Sequence, residues 1–304
     1  MPANHQISYL SNKDINRQLW NKCIESSPNG LIYGYSFYLD YMADNWDALI
    51  LNNYEAVMPL PWRRKSGIHY IYQPFLVAQL GIFGDKINNT LTEMFLSHIP
   101  LKFKYIDLPL NSGNGLHLMA SSFYQRSNYV LNLNNTYSSL YNAYRENIKR
   151  NIKKAKNYGC RLTKDIDVNS IISLAKDQSD KIEDSDFSKF RELYYYLSNN
   201  ASALTFGIVS GRNELLASCV FFYSHKRAYY ILVGNHPNGR TLGASHLLID
   251  SFIQENAEKD MILDFEGSDI RNLAFFYSSF GSIEEKYLAM KWNRLPWYMK
   301  WLKG

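Results

Sequence analysis

Short apolar runs separated by polar turns recur along the whole chain, and most have the length of strands. In the first half, 46–51, 54–60, 67–72, 79–83, 103–108 and 127–133 read as strands, with Asn52-Asn53 as a hairpin turn between the first two. Segments 15–26, 36–43 and 90–97 read as helices. A polar joint, Asn132-Leu133-Asn134-Asn135-Thr136, closes this half. A domain boundary is expected there, giving domains 1–135 and 136–304.

The second half opens with one long expected helix over 138–158, which Ser138 and Ser139 can cap and Gly159 stops. Helices at 170–178 and 187–197 follow, then strands at 203–209, 215–223 and 228–233. After the run Tyr229-Tyr230-Ile231-Leu232-Val233-Gly234 comes a turn over 235–239. Arg240-Thr241-Leu242-Gly243-Ala244-Ser245 then opens a helix over 246–253. A strand at 261–265, a short helix at 277–281 and a last strand at 286–292 complete the pattern. A glycine-bearing turn at a helix start presents free backbone N–H groups and the positive end of the helix dipole, which suits a pyrophosphate.

Here the chain resembles the GNAT acyltransferase superfamily, whose phosphate loop reads Arg/Gln-x-x-Gly-x-Gly/Ala. Arg240, Gly243 and Ala244 hold the opening of that loop, while Ser245 stands where the last Gly/Ala is expected. Tyr277 and Gly281 match the Tyr-x-x-x-Gly of the family's final helix. The string Arg150-Asn151-Ile152-Lys153-Lys154-Ala155-Lys156-Asn157-Tyr158-Gly159 is similar to one that precedes the second half in Fem-type (FemAB-like) tandem GNAT proteins. The likeness covers 137–292 well and is only architectural over 1–135. It implies an α/β (α+β) fold of two tandem GNAT-like domains, each a mixed, mostly antiparallel sheet flanked by helices.

The same resemblance implies roles. The donor loop would comprise Val233, Arg240, Leu242, Gly243, Ala244 and Ser245. Tyr277 would be the general acid toward a leaving thiolate, since a phenol can donate a proton at neutral pH. At the end of strand 261–265, Glu266 would be a base toward an amine, with Asp264 as its rival and Asp269 better placed to cap the next helix.

Helix residues 145–156 carry Arg145, Lys149, Arg150, Lys153, Lys154 and Lys156 against a single acid, Glu146. Arg145, Lys149, Lys153 and Lys156 share a face at three- and four-residue spacing. Lys149, Arg150 and Lys153 are therefore candidates for phosphate contact with a substrate or RNA; acidic partners elsewhere in the fold are the alternative. The acidic segment 180–186 reads as an amine-receiving loop or a solvated, capping turn.

Composition narrows the classes. No stretch approaches the ~20 apolar residues of a membrane helix, and 1–6 lacks the basic and apolar regions of a signal peptide. The three cysteines, Cys23, Cys160 and Cys219, are widely spaced and fit no metal motif, so a reducing, cytoplasmic setting is expected. The seven histidines form no ligand set, and Gly-x-Ser-x-Gly and Gly-x-Gly-x-x-Gly are absent. The net charge of +5 does not demand a nucleic acid. The 24 tyrosines fit either a polar organic groove or tyrosine-rich strands. The aromatic, basic stretch 295–303 could touch a membrane surface or pack back on the first half.

The expectation is an N-acyltransferase or aminoacyltransferase without a metal. It would move an acyl group from acyl-CoA or aminoacyl-transfer RNA to the amine of a small molecule or cell-envelope precursor. A GNAT fold that has lost its donor site and only binds is the alternative, kept open by Ser245.

Overall fold

The computed structural model describes residues 6–115, 122–178 and 182–297. The chain forms two compact units, 1–126 with 286–304, and 127–285. The expected boundary at 135/136 lies inside the second unit, because the strand before the polar joint belongs to that unit's sheet. Most of the expected tail, from 298 on, lies outside the described residues, as do 180 and 181 of the acidic segment.

The first unit contains β1 (Ile7–Leu10), α1 (Arg17–Ser26), α2 (Ser36–Met42), β2 (Trp46–Leu51), β3 (Ala56–Lys65), β4 (Ile68–Ile71), β5 (Phe83–Gly84), α3 (Asn89–Ser97) and β6 (Phe103–Pro109). Its sheet runs β1-β2-β3-β4-β6, with β4 and β6 parallel and β5 on the start of β3. The end of the chain's last strand, Ala289–Asn293, pairs antiparallel with β6. Burial explains the order: β2 is buried at every position, as a central strand covered on both faces should be. The expected strand at 79–83 contracts to two residues. There, the side chains of Asn111 and Asn114 bond the backbone of Leu80 and Ile82 in place of a neighbouring strand.

The second unit receives Ser127–Asn132 of β7 (Phe123–Asn132), then α4 (Tyr137–Asn142), α5 (Glu146–Asn157), β8 (Arg161–Lys164), α6 (Val168–Lys176) and α7 (Asp184–Asn199). The meander β9 (Ala203–Val209), β10 (Leu215–Ser224) and β11 (Arg227–Asn235) follows. Next come α8 (Pro237–Leu242), α9 (Ala244–Asn256), β12 (Ile262–Asp264), α10 (Arg271–Ser278) and the start of β13 (Ile283–Asn293). The sheet order is β7-β12-β11-β10-β9-β8, antiparallel except for β11 and β12. Its core joins Phe206, Phe221 and Phe252 to Ile148 and Ile152 of α5 and to Phe265, Tyr277 and Phe280. Fully burying such side chains contributes roughly 1.5–3 kcal/mol each.

The single helix expected over 138–158 is two helices. Thr136, rather than Ser138 or Ser139, accepts the capping bond from Ser139 N. The break falls where Tyr144 turns into the core at 3% exposure and Arg145 N–H donates to Ser279 O at 2.9 Å. That bond takes the place of an intrahelical one. α5 ends at Asn157, with Tyr158 as its cap and Gly159 beyond in the left-handed region at φ 72°, as expected of that glycine.

Candidate functional site

β11 and β12 pair in parallel only over Arg227–Tyr229 and Ile262–Asp264. β11 then continues to Asn235 alongside β10. The chain beyond β12 stays instead with β7, where Phe265 N–H donates to Tyr129 O at 3.0 Å. The two strands therefore part. They part at a bulge: the β10 register passes from Val220↔Leu232 to Phe221↔Tyr230, leaving Ile231 as the extra residue. Beyond Tyr229, the edge of β11 that faced β12 has no strand partner among the described residues. Such an edge accepts an extended, amide-bearing chain through main-chain hydrogen bonds. Val233 lies on this stretch, half-buried.

At the end of β11 the expected turn is a short helix, α8, with the side chain of His236 accepting from Asn238 N and Pro237 in its first turn. Gly243, at φ 80°, ends α8 and starts α9. His246 N and Leu247 N both reach back to Gly243 O, at 3.1 and 3.2 Å. The N–H groups of Ala244 and Ser245 at the start of α9 then have no backbone acceptor among the described residues, Ser245 being the half-buried one of the two. Ser245 Oγ donates to Asn235 Oδ1 at 2.6 Å, which fixes its side chain beside the end of β11. Ala244 is fully buried and Leu242 packs against the core. Arg240 is exposed on α8, its guanidinium 3.3 Å from Gln178 Oε1.

Gly243 has a second demand on it. A Cβ there would stand 2.7 Å from Asn151 O, on the backbone of α5. The glycine is required by its left-handed backbone and by the approach of α5, with or without a ligand.

The carboxylates at the end of β12 have different surroundings. Asp264 is 2% exposed and forms a buried ion pair with Arg227 at 2.7 Å; it also accepts Glu266 N–H at 2.9 Å. Arg227 bonds Glu285 as well, at 3.0 Å. Burial raises the Asp264 pKa, and the Arg227 charge pulls it back. Asp264 is thus engaged in holding the strand end. Glu266 is half-buried and held at φ 67°, with Gly267 following at φ 79°. A non-glycine residue in that region costs about 1–3 kcal/mol, and such strain persists where surrounding structure enforces it. Asp269 does not cap α10: its side chain accepts Ser127 N–H at 3.1 Å, and Ser268 Oγ accepts Ile270 N–H.

Tyr277 lies in the last part of α10, which begins earlier than expected, at Arg271. Its ring stacks on Phe265 at 4.7 Å and meets Tyr230 edge-on at 6.5 Å, at the point where the strands part. Burial first, and the Glu266 charge second, raise its pKa. The phenol therefore stays protonated and beside a carboxylate. Tyr277 is a core ring whose phenol feels the Glu266 charge.

On α5 the expected common face is mostly engaged. Lys149 bonds Glu146 at 3.0 Å, Lys156 lies 3.7 Å from buried Asp250, and the Arg145 guanidinium covers the Phe275 ring at 4.6 Å. The exposed cations with no acidic partner among the described residues are Arg150, Lys153 and Lys154. Acidic partners thus account for Lys149 and Lys156 and leave Arg150 and Lys153 available.

Three residues here were not singled out by sequence. Arg227 neutralises Asp264, and Asn235 orients Ser245. His246, in the first turn of α9, has a buried Nδ1 without a hydrogen-bond partner among the described residues and meets Phe276 edge-on at 5.0 Å. Burial pushes its pKa down to about 4, so it is neutral at pH 7. No local spacing marks them, because each acts through a partner distant in sequence.

Residues 142–269 match the acetyltransferase (GNAT) domain family. Over that stretch the chain is similar to a GNAT domain, and its fold is similar to those of FemX and of a tandem GNAT protein. The structure of FemX is similar over 97% of this chain and 99% of its own, with a TM-score of 0.62 at 13% identity. A tandem GNAT protein from the clavulanic acid biosynthesis pathway covers 96% and 99%, with a TM-score of 0.54 at 10% identity. L-PGS from Bacillus licheniformis covers 94% and 95%, with a TM-score of 0.51 at 10% identity. No curated protein matches by sequence. Among the described residues, no helix is long and apolar enough to cross a membrane, and no group of three or more His, Cys, Asp and Glu is placed to hold a metal.

Proposed function

We propose that the second unit is an N-acyltransferase whose donor is an acyl-coenzyme A thioester. The observation that carries this reading is the parting of β11 from β12 at Ile231, which leaves the edge of β11 open from Tyr230 onward. That edge would bond the amide-bearing arm of the donor. The N–H groups of Ala244 and Ser245 at the start of α9, with Arg240 nearby in sequence, would receive the pyrophosphate. Arg150 and Lys153 remain candidates for phosphates of the second substrate.

The chemistry assigned to the chain is proton management. The amine attacks the acyl carbonyl, a C–N bond forms and the C–S bond breaks. Glu266 takes the proton from the attacking amine, directly or through water, and Tyr277 gives its proton to the leaving sulfur. Asp264 keeps Glu266 in place through the bond to its N–H, rather than acting as the base.

Calorimetric titration with coenzyme A and with acetyl-CoA tests the donor. Binding is expected, and Arg240→Ala should weaken it about tenfold or more if a charge-assisted bond of roughly 1.5–3 kcal/mol is lost. A parent chain that binds neither compound refutes the donor assignment. If it binds aminoacyl-transfer RNA instead, the donor is that ester; if it binds none of these, the non-catalytic alternative stands.

A further inference from the structure

A cleft of about 530 Å³ lies wholly within the first unit, a volume in the range of small-molecule sites. Much of its wall is apolar. Leu51 lines it from the end of β2, and Ile87 from the loop between β5 and α3. Leu91 and Met94 line it from α3, where a spacing of three residues puts them on one face. Ile87, Leu91 and Met94 are half-buried, so the wall is not closed by packing within the chain.

Three charged residues complete the lining and carry all of its formal charge: Glu55, Asp85 and Lys86. Ala56 pairs with Gly84 where β3 meets β5, so Glu55 and Asp85 are the next residues outward on the two sides of that pair. Glu55 accepts Asn52 Nδ2 at 2.8 Å, a neutral donor that leaves its charge in place. Asp85 and Lys86 are exposed and form no ion pair among the described residues. Two carboxylates against one ammonium leave the lining with one net negative charge.

We propose that this cleft binds an aliphatic primary ammonium ion. Its apolar body would lie on Leu51, Ile87, Leu91 and Met94, and its head group would face Glu55 and Asp85. Charge balance selects this occupant. One positive charge on the ligand neutralises the lining, whereas a carboxylate or phosphate would add a second negative charge to it. Nucleic acid and anionic lipid meet the same repulsion. Lys86 is the one lining group that opposes the head group, which gives its removal a definite sign. The inference stands apart from the acyl-transfer reading: every residue it uses lies in the first unit, and it needs neither coenzyme A nor Glu266.

Calorimetric titration of the full chain with n-hexylamine, n-hexanol and n-hexanoate, with no acyl donor present, tests it. The three share one apolar chain and differ in the charge of the head group. Hexylamine is expected to bind tightest and hexanoate weakest. An exposed ion pair contributes up to about fivefold, so E55Q/D85N should weaken hexylamine about tenfold, to the level of hexanol. Lys86→Ala should strengthen it about two- to fivefold. Met94→Gln puts an amide in the apolar wall and should weaken hexylamine and hexanol alike, by about fivefold. The charge variants should melt like the parent, because Glu55, Asp85 and Lys86 are exposed. No binding of hexylamine, or hexanol or hexanoate bound as tightly, overturns the proposal. So does hexylamine affinity that E55Q/D85N leaves unchanged or that Lys86→Ala lowers. Because the titration contains no acyl donor, its failure leaves the donor assignment of the second unit untouched.

Discussion

Replacing Gly243 with alanine should destabilise the protein in the absence of any ligand. Two costs add. The backbone sits at φ 80°, where an L side chain costs about 1–2 kcal/mol. The new methyl would lie 2.7 Å from Asn151 O and 3.2 Å from the carbonyl carbon, so α5 must retreat. Overpacking of that kind costs about 1–3 kcal/mol. The sum is about 2–5 kcal/mol, which for a chain of this size is a fall in Tm of roughly 5–15 °C. Arg240→Ala is the matched control, because Arg240 is exposed and makes one 3.3 Å bond to Gln178; its effect should stay within about 0.5 kcal/mol. Urea unfolding of both variants, without added ligand, measures this. If Gly243→Ala unfolds with the parent, the approach of α5 does not require the glycine. Any lost ligand binding would then report the donor loop alone.

Three further outcomes follow from the site. Arg227→Met leaves Asp264 buried without its counter-charge and should cost about 3–5 kcal/mol at neutral pH. Burial already raises the Asp264 pKa, and this variant raises it further. The folded state then binds the proton more tightly than the unfolded one, so the deficit should grow as pH rises through the carboxylate range and shrink in acid, as unfolding at pH 5 and pH 8 would reveal. Asp250→Asn follows the same sign: burial raises the Asp250 pKa, so the variant should gain on the parent as pH rises, read from the same unfolding series. Tyr277→Phe keeps the stacking on Phe265 but removes the proton donor; kcat should fall about 10²–10⁴-fold with donor affinity unchanged, and an unchanged kcat in a steady-state assay assigns Tyr277 to packing alone.

Most strands and helices were legible because their lengths and apolar runs are local properties. The strand at 203–209 was read at its observed limits, and Gly159 was correctly read as a stop. The break between α4 and α5 was not legible: it depends on Arg145 bonding Ser279, more than a hundred residues away. Gly243 was found by motif, yet the contact with Asn151 that demands it belongs to tertiary packing. The basic run was legible as charge, but which cations stay free was decided by Glu146 and Asp250. The bulge at Ile231 leaves no trace in a run of apolar residues, yet it lies where β11 parts from β12.

Amide hydrogen exchange with and without acetyl-CoA tests the central claim most directly. The account predicts new protection confined to Tyr230–Asn235 on β11 and to Ala244–His246 at the start of α9, because these hold the open backbone groups. Protection that leaves both segments unchanged while the ligand binds elsewhere would contradict it.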